Sequence, residues 1–156
     1  MSVHLPESLL VLERGWLSAN SIVLFDGSDA AVVDSGYVTH ASQTVELVDH
    51  AVRGRHLKRL INTHSHSDHI GGNAALQARF GCEIIVPAGL HATIAEWDEE
   101  ALLLSPLGQQ AARFQHDSLI RRRGDFDGRP RLAGLGRSRT RHGGAGFLQP
   151  GSAYPD

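Results

Sequence analysis

Residues 64–72 read HSHSDHIGG, and this stretch decides how the rest of the chain is interpreted. Four of its first six positions carry side chains that can bind a metal, namely His64, His66, Asp68 and His69. Side chains two residues apart in an extended chain lie on the same side, so the first three can converge on one point, and His69 joins them if the chain turns there. Imidazole and carboxylate ligands suit borderline divalent metals, so the pattern predicts zinc, with iron or manganese as alternatives.

The sequence on either side predicts that this segment is a loop at the end of a strand. Residues 57–62 have the pattern of a short strand, and residues 73–80 have that of a helix ended by Gly81. Structural zinc sites usually close with four ligands and favour cysteine, whereas histidine and carboxylate ligands suit an open catalytic site. The cluster therefore favours a catalytic metal over a structural one.

The remaining elements predict an α/β (α+β) fold. The expected strands are residues 9–12, 21–25, 30–33 and 83–86, and the expected helices are residues 40–54 and 89–97. Residues 102–104 are expected to belong to a further helix, which Pro106 interrupts. A turn over residues 26–29 makes the opening strands antiparallel. Alternation of strands and helices implies a sheet covered by helices.

Composition places the chain in the globular class. Its 156 residues are 41% hydrophobic, enough for one domain with a core. No apolar run reaches the length of a membrane span and the first ten residues lack an export signal, so we expect a cytoplasmic protein without a membrane partner. The single cysteine, Cys82, excludes an internal disulfide and is predicted to be a small buried residue.

Charge divides the chain in two. Residues 1–120 carry seven Lys and Arg against fourteen acidic residues, whereas residues 121–156 carry eight Arg against three. The second segment contains no Val or Ile, which a buried sheet would require. We therefore predict a partial domain over residues 1–120 and an irregular or disordered Arg/Gly-rich tail over residues 121–156.

Residues 64–72, called the metal segment below, begin with HSHSDH. These six residues resemble the H-x-H-x-D-H signature of the metallo-β-lactamase superfamily, and the match is complete. Residues 32–36, VVDSG, resemble the strand-ending Asp-x-Gly segment of that family, which implies that Asp34 supports the metal histidines from the second shell. The resemblance covers roughly residues 10–120 and implies the N-terminal half of an αββα sandwich. It is nearest to the branch of glyoxalase II-like thioesterases, lactonases and β-lactamase-like hydrolases.

The resemblance also implies roles for the four ligands. His64 and His66 would bind one zinc ion, and Asp68 and His69 would bind a second. Asp68 would in addition be catalytic, because it could orient or deprotonate the attacking water. The expected reaction is hydrolysis of an ester, thioester, lactone or amide in a small-molecule substrate. The nuclease branch of the same superfamily is an alternative, although its additional domain is not evident in this sequence.

The later ligands of the family are not recognisable. His116 is distant enough along the chain to be a third histidine ligand, but it lacks the Pro-Gly-His context of the family and is expected to be a surface or hydrogen-bonded residue. With two protein ligands for each ion, metal affinity would be weak, because catalytic zinc usually has three. A half-sandwich would also leave one sheet face uncovered, which predicts self-association.

Three interpretations compete for residues 121–156. Back-translation with one constant shift of frame yields an apolar segment followed by Pro-Gly-His, so we favour a frameshift near residues 117–124 and hence a truncated hydrolase. The second interpretation is a disordered extension, and the third is a basic tail that binds nucleic acid through phosphate contacts. Nucleic acid is not the expected partner. The alternative to a hydrolase is thus a non-catalytic fragment, either inert or binding nucleic acid through this tail.

Overall fold

The computed structural model describes residues 5–116 and 118–120, and shows a single sheet with helices packed on it. The strands are β1 (Leu9–Leu12), β2 (Ser21–Asp26), β3 (Asp29–Val33), β4 (His56–Ile61), β5 (Glu83–Pro87) and β6 (Ser118–Ile120). The α-helices are α1 (Ala41–Val52), α2 (Ser67–Ile70), α3 (Asn73–Phe80) and α4 (His91–Glu96), and short 3-10 helices lie at Val38–His40, Ala88–Leu90 and Ser105–Leu107. The Arg/Gly-rich tail over residues 121–156 lies outside the described residues. Of the region expected to contain the frameshift, residues 117–124, only residues 118–120 are described.

The six strands of the described part lie in chain order from β1 to β6. β1, β2 and β3 are antiparallel neighbours, whereas β3, β4, β5 and β6 run parallel. A tight turn at Gly27 and Ser28 joins β2 to β3, and Gly27 has the positive φ of 58° that such a turn requires. The carboxyl ends of β3 and β4 therefore meet at one edge of the sheet. Asp34 directly follows β3 at this edge, and the segment with the expected metal ligands follows β4.

One face of the sheet forms the core. Val23, Val32, Leu60 and Ile84 are successive cross-strand partners in β2, β3, β4 and β5, and each is fully buried. Side chains of α1, α3 and α4 pack on this row, among them Val48, Leu76 and Ile94. Cys82 belongs to the same cluster and is 3% exposed. The expected sheet covered by helices is thus confirmed, and burial of these apolar side chains stabilises it.

The opposite face carries a second apolar row. Ile22, Val33, Ile61 and Ile85 are successive cross-strand partners on this side, and all four are half-buried. None of them belongs to the core cluster of the described residues. The expected self-association through this face stays a prediction, and the row identifies the residues that would carry it.

A charge placed in this row should reduce self-association. We expect the chain to sediment as a dimer or larger species and Ile22→Lys to shift it towards the monomer, because a lysine cannot be buried unpaired against a second apolar row. Leu10→Lys is the matched control, since Leu10 pairs with Val23 on the core side of β1 and is already 39% exposed. Sedimentation velocity at several concentrations measures both, and equal sedimentation of wild type and Ile22→Lys would contradict the prediction.

The helix expected at residues 102–104 is wrong. These residues form turns, in which Leu102 and Leu104 are buried in the core while Leu103 is 40% exposed. Leu103 has a φ of 58°, a left-handed conformation that a right-handed helix cannot contain. None of the helices in the described part of the chain is long and apolar enough to cross a membrane.

Candidate metal centre

The segment 62–72 leaves β4 at the carboxyl edge of the sheet, as the sequence predicts. His66 is extended, with φ and ψ of −68° and 148°, and the chain then enters α2 at Ser67. The expectation of an extended stretch through Asp68 is therefore wrong, because the turn comes before Asp68. As a result Asp68 and His69 lie in the first helical turn, while His64 and His66 lie on the loop before it.

Three of the four expected ligands come together. One donor atom each from His64, Asp68 and His69 lies within 4.8 Å of the other two. The carboxylate Oδ2 of Asp68 is 3.4 Å from Nε2 of His69, and the ring centroids of His64 and His69 are 3.8 Å apart. The exposed His66 is outside this group of three, and its ring meets that of His64 edge-on with 4.6 Å between centroids. His64 thus contacts both His66, its expected partner at one ion, and His69, an expected ligand of the other.

Asp34 lies directly behind the cluster and is 4% exposed. Its Oδ2 is 2.8 Å from Nδ1 of His69, so the carboxylate accepts the Nδ1–H of that ring and leaves the Nε2 lone pair facing Asp68. The same carboxylate accepts the backbone N–H of Thr63 at 2.9 Å and its hydroxyl at 2.7 Å. The residue has a positive φ of 56°, which Asp adopts more readily than most residues. Asp34 thus contacts His69 and Thr63 through its carboxylate, and its role in supporting a metal histidine stays a prediction.

A buried polar network holds the backbone of His69. The carbonyl of His69 accepts the N–H of Ser35 at 2.8 Å and lies 3.0 Å from the Ser35 hydroxyl. Asn73 Oδ1 is 2.6 Å from the same hydroxyl, and the amides of Asn62 and Asn73 bond to each other at 2.7 and 3.3 Å. These three polar side chains are at most 1% exposed. Satisfied buried polar groups are strongly constrained, so the network fixes His69 from the side away from solvent.

Close backbone packing fixes the end of the segment. A Cβ added to Gly71 would lie 2.2 Å from the backbone nitrogen of Val38 and 2.5 Å from the carbonyl carbon of Tyr37. A Cβ added to Gly72 would lie 2.5 Å from the carbonyl oxygen of Ser35. The two glycines therefore let the metal segment contact the chain that follows β3.

The surroundings of His64 favour its neutral imidazole form. Burial lowers the pKa of His64, and the neighbouring His69 and His66 lower it further, whereas Asp34 and Asp68 oppose this shift. Neutral imidazole is the form that binds a metal ion.

The donors present fit a zinc ion. Two imidazoles and one carboxylate match the three protein ligands usual in catalytic zinc sites, and the half-buried positions of His64, Asp68 and His69 leave one side open. Asp34 accepts the Nδ1–H of His69, which is the contact that a carboxylate supporting a metal-binding histidine makes. His116 is not part of this group, and its Nε2 is 2.6 Å from Nδ1 of His91.

Sequence reasoning missed four residues that support the centre, namely Thr63, Ser35, Asn62 and Asn73. Thr63 and Asn62 immediately precede His64, and Ser35 immediately follows Asp34, so adjacency to the motifs was the available signal. Asn73 follows the paired glycines at the start of α3. Its amide partner is eleven residues away and becomes visible only when the strand and helix are packed.

Comparison with known proteins identifies the family. The family model of the metallo-β-lactamase superfamily matches residues 14–148. The chain belongs to the metallo-β-lactamase superfamily. The match extends beyond the described residues and includes most of the Arg-rich segment. The boundary near residue 120 stays a prediction.

Two curated relatives are similar to part of this superfamily member. It is 43% identical over 49 residues to hydroxyacylglutathione hydrolase of Methylococcus capsulatus, which is 31% of this chain and 18% of that protein. It is 42% identical over 53 residues to hydroxyacylglutathione hydrolase of Rhizobium etli, which is 30% of this chain and 21% of that protein. The aligned parts thus span about a fifth of each relative.

A solved structure shows the same metallo-β-lactamase fold. The similar protein is a metallo-β-lactamase with a HARLDQ motif from Cronobacter sakazakii, at 21% identity and a TM-score of 0.61. The similarity covers 73% of this chain and 45% of that one. This partial coverage fits the N-terminal half of the fold.

Proposed function

We propose that this chain carries the metal centre of a zinc-dependent hydrolase that cleaves an ester, thioester, lactone or amide. The observation that supports this most is the approach of His64, Asp68 and His69 to within 4.8 Å, with Asp34 holding the last of them from behind. His64, Asp68 and His69 would hold the ion, and the ring of His66, the fourth expected ligand, lies 4.6 Å from that of His64. A carboxylate that accepts the second ring N–H is typical of histidines that bind metal ions.

The side chains have separate tasks in this proposal. A bound zinc ion would supply a Lewis acid that polarises the substrate carbonyl and lowers the pKa of water. Asp68 is partly exposed, so its carboxylate can accept a hydrogen bond from the attacking water and take its proton. Asp34 keeps Nε2 of His69 free of a proton by accepting the Nδ1–H. Ser35 and Asn62 hold the His69 carbonyl, so the ring keeps its position during turnover.

Within this reaction class we propose a thioester substrate. Both curated relatives are named hydroxyacylglutathione hydrolases, so they act on a thioester of glutathione with a hydroxy acid. The similarity covers about a third of this chain, and we carry over only the bond type. A thioester carbonyl is activated towards attack by water, which suits a site with one carboxylate base.

The test compares zinc-loaded and zinc-depleted protein on four substrates, one each with an ester, thioester, lactone and amide bond. We expect thioester hydrolysis that is lost after chelation and restored when zinc is added back, because the polarising charge is removed and returned. Protein passed through the same buffers without chelator is the control. Hydrolysis that survives complete zinc removal would contradict the metal mechanism, and hydrolysis of another bond in preference to the thioester would contradict the substrate class.

A further inference from the structure

Thr63 connects Asp34 to a second histidine. Its hydroxyl oxygen is 2.7 Å from Oδ2 of Asp34 and 3.0 Å from Nδ1 of His64. The same oxygen is 3.3 Å from Nδ1 of His69, which has the shorter 2.8 Å contact to Asp34. Thr63 thus lies between the buried carboxylate and the ring of His64.

Counting hydrogens assigns the direction of these bonds. The Thr63 hydroxyl has one hydrogen, and the Asp34 carboxylate can only accept, so the hydroxyl donates to Asp34. A charged acceptor at 2.7 Å also competes better for that hydrogen than a neutral ring nitrogen at 3.0 Å. The hydroxyl oxygen then has only lone pairs to offer His64, so the hydrogen between them belongs to Nδ1 of His64.

We propose that Thr63 is a positioning residue that holds His64 in the tautomer with a proton on Nδ1, which leaves Nε2 as the metal-binding nitrogen. The purpose of this arrangement rests on the proposed function. Asp34 would then orient two ligands from one carboxylate, His69 directly and His64 through the Thr63 hydroxyl. The backbone N–H of Thr63 bonds to the other oxygen of Asp34 at 2.9 Å, which fixes the hydroxyl at the required place.

Thr63→Val and Thr63→Ser form a matched pair for testing this inference. Valine keeps the shape, the β-branch and the backbone bond to Asp34 but lacks the hydroxyl, whereas serine keeps the hydroxyl. The first measurement is the nitrogen-15 NMR spectrum of the histidine rings in metal-free protein, at a pH where the rings are neutral. We expect the protonated nitrogen of His64 to be Nδ1 in wild type and in Thr63→Ser, with a substantial Nε2–H population appearing in Thr63→Val.

The second measurement is zinc affinity of the same three proteins. We expect Thr63→Val to bind zinc about 10- to 100-fold more weakly, as is usual when a residue that orients a metal ligand is changed. Thr63→Ser should bind zinc within a few-fold of wild type. An unchanged His64 tautomer in Thr63→Val would overturn the inference, as would a serine variant that behaves like the valine variant. The tautomer is measured without metal or substrate. A protein that hydrolyses nothing could therefore still show the expected change of the His64 tautomer in Thr63→Val.

Discussion

Replacing both His64 and His66 with alanine is expected to weaken zinc binding at the centre severely and, in a form of the protein that hydrolyses substrate, to abolish turnover. His64 contributes one of the three donors that lie within 4.8 Å of one another, and the His66 ring is 4.6 Å from that of His64. The double change leaves only Asp68 and His69, too few for the usual catalytic zinc site. Equilibrium dialysis with zinc should show affinity at least about 100-fold weaker, since changing residues that only orient the ligands already costs about 10- to 100-fold.

His50→Ala is the matched control for this experiment. His50 is exposed on α1 and is not part of the metal cluster, so its replacement should leave zinc affinity and turnover unchanged. Circular dichroism of the double variant distinguishes lost ligands from lost structure. Turnover that persists in a folded double variant would rule out hydrolysis at this centre.

Replacing Gly71 with alanine should destabilise the fold by about 3 kcal/mol or more, at the upper end of the range for overpacked sites. The added methyl group would lie 2.2 Å from the backbone nitrogen of Val38 and 2.7 Å from Cα of Tyr37. Backbone atoms cannot rotate away as a side chain can, so the metal segment or residues 37–38 must move. Such movement would also lengthen the 2.8 Å bond from the Gly71 N–H to the Gly36 carbonyl. Urea denaturation measures the change in the free energy of unfolding.

Gly89→Ala provides the comparison for this second prediction. Gly89 lies in a 3-10 helix, does not have a positive φ, and a Cβ added to it would meet nothing within 4 Å. Its replacement should leave the unfolding free energy within about 0.5 kcal/mol of wild type, as for most surface substitutions. Equal stability of the two alanine variants would show that residues 37–38 accommodate the methyl group at Gly71 without cost.

Much of the fold was predictable because its signals are local. The turn at Gly27 and Ser28 determines the antiparallel pairing of β2 and β3, and Gly81 ends α3 with a positive φ of 63° as its position in the sequence suggests. Leu103 shows the limit of such reasoning. Three consecutive leucines favour a helix by propensity, yet burial of Leu102 and Leu104 on the core is achieved with Leu103 in a left-handed conformation. Tertiary packing outweighed propensity at this point.

In the candidate site, too, the local features were predictable from the sequence and the long-range contacts were not. His64, His66, Asp68 and His69 are adjacent in sequence, so their spacing alone suggested a metal, whereas Asp34 required the family resemblance. The supporting contacts join residues far apart in the chain, such as Ser35 to Asn73, 38 positions away. Periodicity and composition contain no information about such pairs, because the pairing depends on which strand and helix ends meet.

The hydrogen bonds of Gly71 and Gly72 bear on how the proposed centre would exchange a metal ion. The Gly71 N–H bonds to the Gly36 carbonyl at 2.8 Å, and the Gly72 N–H bonds to the buried Ser35 hydroxyl at 3.1 Å. Amides held this way exchange with solvent slowly, so the segment should be among the protected parts of the metal-free protein even though it starts as a loop. Binding an ion to a site that is already ordered requires little further loss of conformational freedom. Metal could then leave and return while the surrounding backbone stays folded, and the centre would sample the available pool of ions throughout the lifetime of the protein.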